Sequence, residues 1–294
     1  MIDIIDPHVH VWQLSAGHYH WLRQANPPHW PAKALLQKDF LPAKLALQPP
    51  FRLHGVVHIE AGFNNQQPEQ ELAWLRKQDW PCANKSVAFL DCAAPLGQVE
   101  SQLQALLPYQ PAGVRHIFDG NDEQVLHRTE LHTIAGWLCQ QQLLMEVQCN
   151  VTNPKNLARI TQLAELFPQL RLVLNHAGFV KPERFSVWQQ ALNALGTSPN
   201  IAMKLSGWEM LHTGERSPFD SAWFQRVLSA ALEHLPTERL MLASNFPLCL
   251  WQGSYQQLWQ GYFDQCQALG LSAADWQELS RYSASRCYEF DAKG

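Results

Sequence analysis

Two histidines one residue apart, His8 and His10 in the run Asp6-Pro7-His8-Val9-His10, are the first residues of this chain whose type and spacing could do chemistry. They close an apolar, β-branched segment, and in a strand residues two apart face the same side. Two imidazoles so placed can chelate a divalent cation or meet the negative charge that develops on a carbonyl oxygen under attack. A pair of core histidines would be spaced in the same way, so the motif alone decides nothing.

Polar groups recur at the ends of other apolar runs. Val173-Leu174-Asn175-His176-Ala177-Gly178 adds a third histidine, and Gly113-Val114-Arg115-His116 adds a guanidinium and a fourth. His58-Ile59-Glu60-Ala61-Gly62 carries a carboxylate, Lys204-Leu205-Ser206-Gly207-Trp208 an ammonium, and Ala243-Ser244-Asn245-Phe246-Pro247 an amide. One such coincidence is cheap, but six along one chain are not.

The elements that would have to bring these groups together can be marked as eight short apolar or β-branched runs. They are Ile2–His10, His54–Ala61, Ser86–Cys92, Gly113–Ile117, Leu143–Cys149, Arg171–His176, Asn200–Ser206 and Arg239–Asn245. Near-continuous apolar runs of strand length mark parallel strands buried on both faces. Between them lie segments of helical period: Glu69–Gln78, Gln98–Leu107, Glu130–Gln142, Pro154–Phe167, Glu183–Leu195, Phe219–His234 and Ser254–Leu269. Strand starts recur at roughly 30-residue intervals after the second, the size of a βαβ unit. The fold expected is an α/β class (β/α)₈ TIM barrel, one domain over residues 1–294, whose site lies at the carboxyl ends of the strands. No GxGxxG follows the first strand, which weakens the open doubly wound alternative. A long Trp-, His- and Pro-rich connection, Val11–Pro31, is expected to form a flap over the mouth, and Ser272–Tyr288 a C-terminal helical extension.

Composition narrows the function. The formal net charge is -4 and only 16% of residues are charged, so no basic surface for nucleic acid is expected. Seven cysteines without a CxxC pair read as reduced thiols, and with no basic or long apolar N-terminal stretch the expectation is a cytoplasmic protein without a membrane span. GxSxG is absent, and no Ser–His–Asp arrangement follows from spacing.

Taken together, the strand-one HxH, the histidine of NHAG, GVRH, KLSGW and SNFP resemble the amidohydrolase superfamily. Within it they are similar to the branch containing L-fuconolactonase and 2-pyrone-4,6-dicarboxylate lactonase, over nearly the whole chain and including Tyr19-His20-Trp21. The resemblance implies that His8, His10 and His176 surround the scissile carbonyl, with or without a metal. It implies that Arg115 binds a substrate carboxylate or polarises a carbonyl, a task its planar fork suits. His116, Lys204, Trp208 and Trp21 are taken as further substrate contacts; aromatic faces can pack on sugar rings, although tryptophans in the long connection could equally anchor it.

Asn245 departs from the family pattern, which usually places aspartate there as general base. A carboxamide takes no proton at neutral pH. Glu60 is then the expected base, with an ion pair to Arg115 or Lys204 as its alternative role and His176 as another base. The resemblance implies that a two-metal site needs a histidine on strand five, which this chain lacks, so at most one divalent ion is expected, zinc if any, on His8, His10 and His176. The expected activity is hydrolysis of a small carbonyl substrate, a sugar lactone or related cyclic ester. Decarboxylation of an aromatic or dienoic acid, or ligand binding without turnover, are the alternatives, and the oligomeric state stays open.

Overall fold

The computed structural model describes residues 1–212 and 215–290. Eight strands form one sheet in sequence order: β1 (Ile2–Val9), β2 (Phe51–Ile59), β3 (Ala83–Phe89), β4 (Gly113–Ile117), β5 (Leu144–Gln148), β6 (Leu172–Leu174), β7 (Ile201–Leu205) and β8 (Leu240–Leu242). Each pairs in parallel with the next. The sheet closes through a short seam beyond β8, where Val9 bridges Phe246, the His10 N–H donates to Phe246 O at 2.7 Å and the Asn245 N–H to His8 O at 3.0 Å. This is the expected (β/α)₈ barrel.

The crossovers are helices α1 (Glu69–Leu75), α2 (Leu96–Leu106), α3 (Glu130–Gln140), α4 (Pro154–Leu166), α5 (Phe185–Gly196), α6 (Ser221–His234) and α7 (Tyr255–Ala268). Each of the longer ones buries one stripe; α6 turns Trp223, Phe224, Val227, Leu228 and Ala231 inward at helical spacing. Ends are set by local chemistry. Asn153 caps α4 ahead of Pro154, and Ser254 with Gln257 forms a capping box on α7.

Strand alternation sorts the barrel interior into layers. The lower layer is apolar: Ile5, Val57, Ile59, Val87, Leu144, Val173 and Met241. Its floor is stoppered by the C-terminal segment, α8 (Ala273–Gln277), a π-helical turn Glu278–Tyr282, and α9 (Ser283–Cys287), which leads Cys287, Tyr288 and Phe290 into the same cluster. Gly55 is small because of this plug, since a Cβ there would stand 2.8 Å from Phe290 Cε1. The layer above is charged and polar and forms the candidate site.

The expected bounds of β2 and β3 begin three residues late. Arg52 is exposed, Leu53 and His54 are half-buried, and Ala83 and Asn84 are exposed. Of the six residues that precede the expected starts only Phe51 is buried, so no apolar run marks where these strands begin. The connection after β1 is held by short turns at His20–Leu22, Pro31–Leu36 and Pro42–Lys44 and by an antiparallel bridge from Trp12 to Phe40. Among the described residues no helix is long and apolar enough to cross a membrane.

Candidate active site

His8 and His10 do point together. Their Nε2 atoms lie 3.2 Å apart and their rings meet edge to face at 5.0 Å. His176 stands against His8, ring centroids 4.7 Å apart. It leaves β6 through a left-handed turn, with φ of 53° at His176 and 51° at Ala177, a backbone strain of the kind concentrated at functional sites. Its Nδ1 lies 3.0 Å from Ser206 Oγ. Close packing from β7 requires Gly207, where a Cβ would come within 2.8 Å of the His176 ring.

The protons of this cluster follow from its fixed partners. His10 Nδ1 lies 2.8 Å from the carbonyl of Ile59, which only accepts, so Nδ1 carries the proton and Nε2 the lone pair. At His8 the partner of Nδ1 is Lys204 Nζ, at 3.3 Å. An ammonium only donates, so the His8 proton sits on Nε2 and points to His10. Burial, reinforced by neighbouring positive charge, holds all three imidazoles well below their usual pKa, so they are neutral at physiological pH.

Lys204 does not pair with Glu60. Its Nζ donates to both oxygens of Glu146 at 2.6 Å, with both side chains fully buried. Asn175 Nδ2 and Tyr288 OH each donate to the same carboxylate at 2.7 Å. Burial outweighs the Glu146 charge and brings Lys204 down to about 8. A polar chain thus runs from Tyr288 at the floor through Glu146 and Lys204 to the histidines at the mouth. Spacing hid Glu146, yet its place in β5, two residues from Leu144 and from Gln148 and so on the same face, marks it as inward-facing.

Glu60 pairs with Arg115. Nε at 2.8 Å and Nη2 at 2.5 Å both fall on Oε1, while Nη1 reaches Gln148 Oε1 at 3.3 Å. Burial raises the Glu60 pKa, although the Arg115 charge pulls it down. Arg115 is therefore already neutralised by a protein carboxylate.

Three expected substrate contacts are differently employed. His116 follows Arg115 and so faces the other way. Its Nδ1 lies 3.1 Å from Leu90 O, and its ring packs beside Phe89 and Phe118. The Trp208 indole is buried, donating to Tyr262 OH at 2.7 Å and packing on Phe224, although the residue borders a small cavity of about 40 Å³ beside His176. Trp21 donates to Ala61 O at 2.7 Å and continues an edge-to-face series from Trp12 to Trp30 and Trp251. It pins the connection to the end of β2, the anchoring role.

Asn245 also has φ of 57° and is buried. Its Nδ2 donates to Glu209 Oε1 at 2.5 Å. Glu209 follows β7 in a short turn, Trp208–His212, is fully buried, and is pushed up to about 7 by burial. Spacing places Glu209 nowhere in particular; only the fold sets this carboxylate beside the amide.

The fit to a metal ion is incomplete. The His8–His10 separation suits neighbouring ligands, but among the described residues no group of three or more His, Cys, Asp and Glu side chains is arranged to hold an ion. The nitrogen of His8 that would ligate carries a proton fixed by Lys204, and position 245 brings no charge. The expected set of His8, His10 and His176 is therefore not assembled as a metal centre.

Comparison with known proteins places the chain in a family. A family model described as Amidohydrolase matches residues 5–290. An uncharacterized protein of Sinorhizobium fredii is 27% identical with 98% of each chain covered. An L-fucono-1,5-lactonase of Burkholderia multivorans is 24% identical over 97% of this chain and 95% of that one. An amidohydrolase from Burkholderia multivorans solved with bound zinc superposes with a TM-score of 0.76 at 22% identity, covering 98% of this chain and 99% of that one.

Proposed function

This chain belongs to the Amidohydrolase family and is a hydrolase, and on that premise we propose that it opens a neutral, hydroxyl-bearing lactone of the sugar type by attack of water at the barrel mouth. The observation that carries this reading is that both cations at the centre of the barrel are matched by carboxylates of the chain, Arg115 by Glu60 and Lys204 by Glu146. A substrate carboxylate would have to displace one of these buried partners. A neutral ester meets neutral imidazoles and an amide instead. The likeness to a named L-fucono-1,5-lactonase points the same way.

In this reading the water oxygen bonds to the lactone carbonyl carbon while its proton passes to Glu60. Arg115 engages only Oε1 and leaves Oε2 for the water. The His8 Nε2–H, set by Lys204 and resting on His10 Nε2 in the free site, transfers its hydrogen bond to the oxygen that becomes negative. Collapse breaks the ring C–O bond, and the proton held by Glu60 passes to the departing ring oxygen. The product is the open-chain hydroxy acid. No step uses a metal ion.

A panel of lactones with acid release followed by a pH indicator tests the proposal. Turnover of aldonolactones is the expected result. Carbon dioxide release from aromatic acids with no lactone turnover would mark a decarboxylase instead, and ligand binding without either would mark a non-catalytic barrel.

A further inference from the structure

Asn245 stands where a water-activating site of this kind needs a carboxylate, and a carboxylate is one hydrogen bond away. Glu209 Oε1 accepts from Asn245 Nδ2 at 2.5 Å, and both side chains are at least nine-tenths buried. The second oxygen, Glu209 Oε2, is buried without a hydrogen-bond partner among the described residues. An ionised Glu209 accepts and never donates, so the amide turns its NH₂ towards it, the orientation the 2.5 Å contact has. Oδ1 is left on the other side, engaged by no donor among the described residues. The backbone fixes the rest. Asn245 sits on the closing seam, its N–H on His8 O, so its side chain leaves the chain directly beside the histidines.

We propose that Glu209 is a positioning residue for Asn245: it holds the amide with Oδ1 free, and this oxygen accepts a hydrogen bond from a hydroxyl of the substrate lactone. The inference rests on the lactonase reading and sharpens it. An aspartate at 245 would lie against Glu209, and the two carboxyl groups would have to hold one proton between them, so the two positions form one unit in which a single carboxylate charge is allowed. In this chain the charge lies in the turn after β7, and position 245 offers an acceptor of hydrogen bonds, not of protons. Asn245→Asp alone therefore does not restore a water-activating base, because it sets two carboxylates in contact. The exchange Glu209→Gln with Asn245→Asp keeps the hydrogen bond and moves the charge.

Four proteins test this: the wild type, Glu209→Gln, Asn245→Asp and the double exchange. Thermal unfolding is read first. Asn245→Asp is expected to lower Tm by several degrees, and the double exchange to return it close to the wild type. A double exchange whose loss equals the sum of the two single losses would show that the residues do not act as a unit and would overturn the proposal. Kinetics on a polyhydroxylated lactone and on an unsubstituted δ-lactone are read second. Glu209→Gln lets the amide turn, so kcat/KM on the hydroxylated substrate is expected to fall about tenfold, mainly through KM, the usual size of one lost hydrogen bond. The unsubstituted lactone should be turned over as before. An equal loss on both substrates would reduce Glu209 to a structural part and overturn the recognition role. Wild-type protein inactive on every lactone would sink the lactonase reading, while the unfolding cycle would still decide whether the pair is a unit.

Discussion

Arg115 grips Glu60 by one oxygen: its Nε and Nη2 converge on Oε1 at 2.8 Å and 2.5 Å. A fork-to-fork pair would have occupied both oxygens. The single-oxygen grip holds the carboxylate in place and leaves half of it for water. Glu60→Gln, which keeps the shape, is expected to lower kcat on a responsive lactone by roughly a hundredfold or more, the usual worth of general-base catalysis. An unchanged kcat in folded protein would transfer the role of base to a histidine.

The Lys204–Glu146 pair is fully buried, so removing one partner strands a charge. Lys204→Met is expected to cost about 3–5 kcal/mol, read by urea unfolding, because the remaining carboxylate is left without its cation. Lys204→Met combined with Glu146→Gln should recover much of that loss. Failure of the double replacement to recover stability would mean that the cost lies in packing.

Stability should also report the ionisation of Glu209. Its folded pKa is raised from 4.5 to about 7. A carboxyl so shifted contributes stability that is fully present below the unfolded value and is lost as pH rises through the folded one. At about 1.4 kcal/mol per pH unit, the wild type should lose roughly 3 kcal/mol relative to Glu209→Gln between pH 4.5 and 7. Parallel denaturation curves across that window check the sign. A difference that stays flat would place Glu209 in a solvated environment.

Metal removal gives a further check. Two histidine nitrogens without a third ligand from the described residues bind an ion weakly. Prolonged dialysis against a chelator is expected to leave the lactonase rate unchanged. Loss of activity restored by zinc alone would show that His8 changes tautomer and becomes a ligand.

Trp208 separates packing from recognition. Its indole is held by Tyr262 OH. Trp208→Phe should destabilise the protein by about 1 kcal/mol, the worth of one buried hydrogen bond, and leave KM unchanged. A raised KM at unaltered stability would return Trp208 to the substrate.

The barrel was legible because its strands are buried on both faces and read as apolar runs, and because each crossover helix keeps one apolar stripe. The histidines and Arg115 were legible because they end such runs. What sequence order conceals is which neighbour each group meets. Lys204 could have met Glu60 or Glu146, and only strand order, with β7 two strands from β5 and three from β2, decides for Glu146. Strand alternation should have turned His116 away once Arg115 was taken as inward. Glu209 lies in a turn with no periodicity, so no pattern connects it to position 245. Trp21 and Trp208 show that aromatic residues near a mouth are as readily spent on holding loops and helices as on binding.

The seam between the first strand and the segment after the last has a consequence for how activity is acquired. The Asp6 carboxylate receives the N–H of Ser244, 238 residues further along, and His8 and His10 join Asn245 and Phe246 across the same junction. Contacts so distant in the chain are slow to form, while helices and neighbouring strand pairs are quick. A refolding chain can therefore regain most of its secondary structure with its polar centre still unmade. Catalysis switches on only when the ring shuts, so enzymatic activity, followed in time, is a clock for the last event of folding.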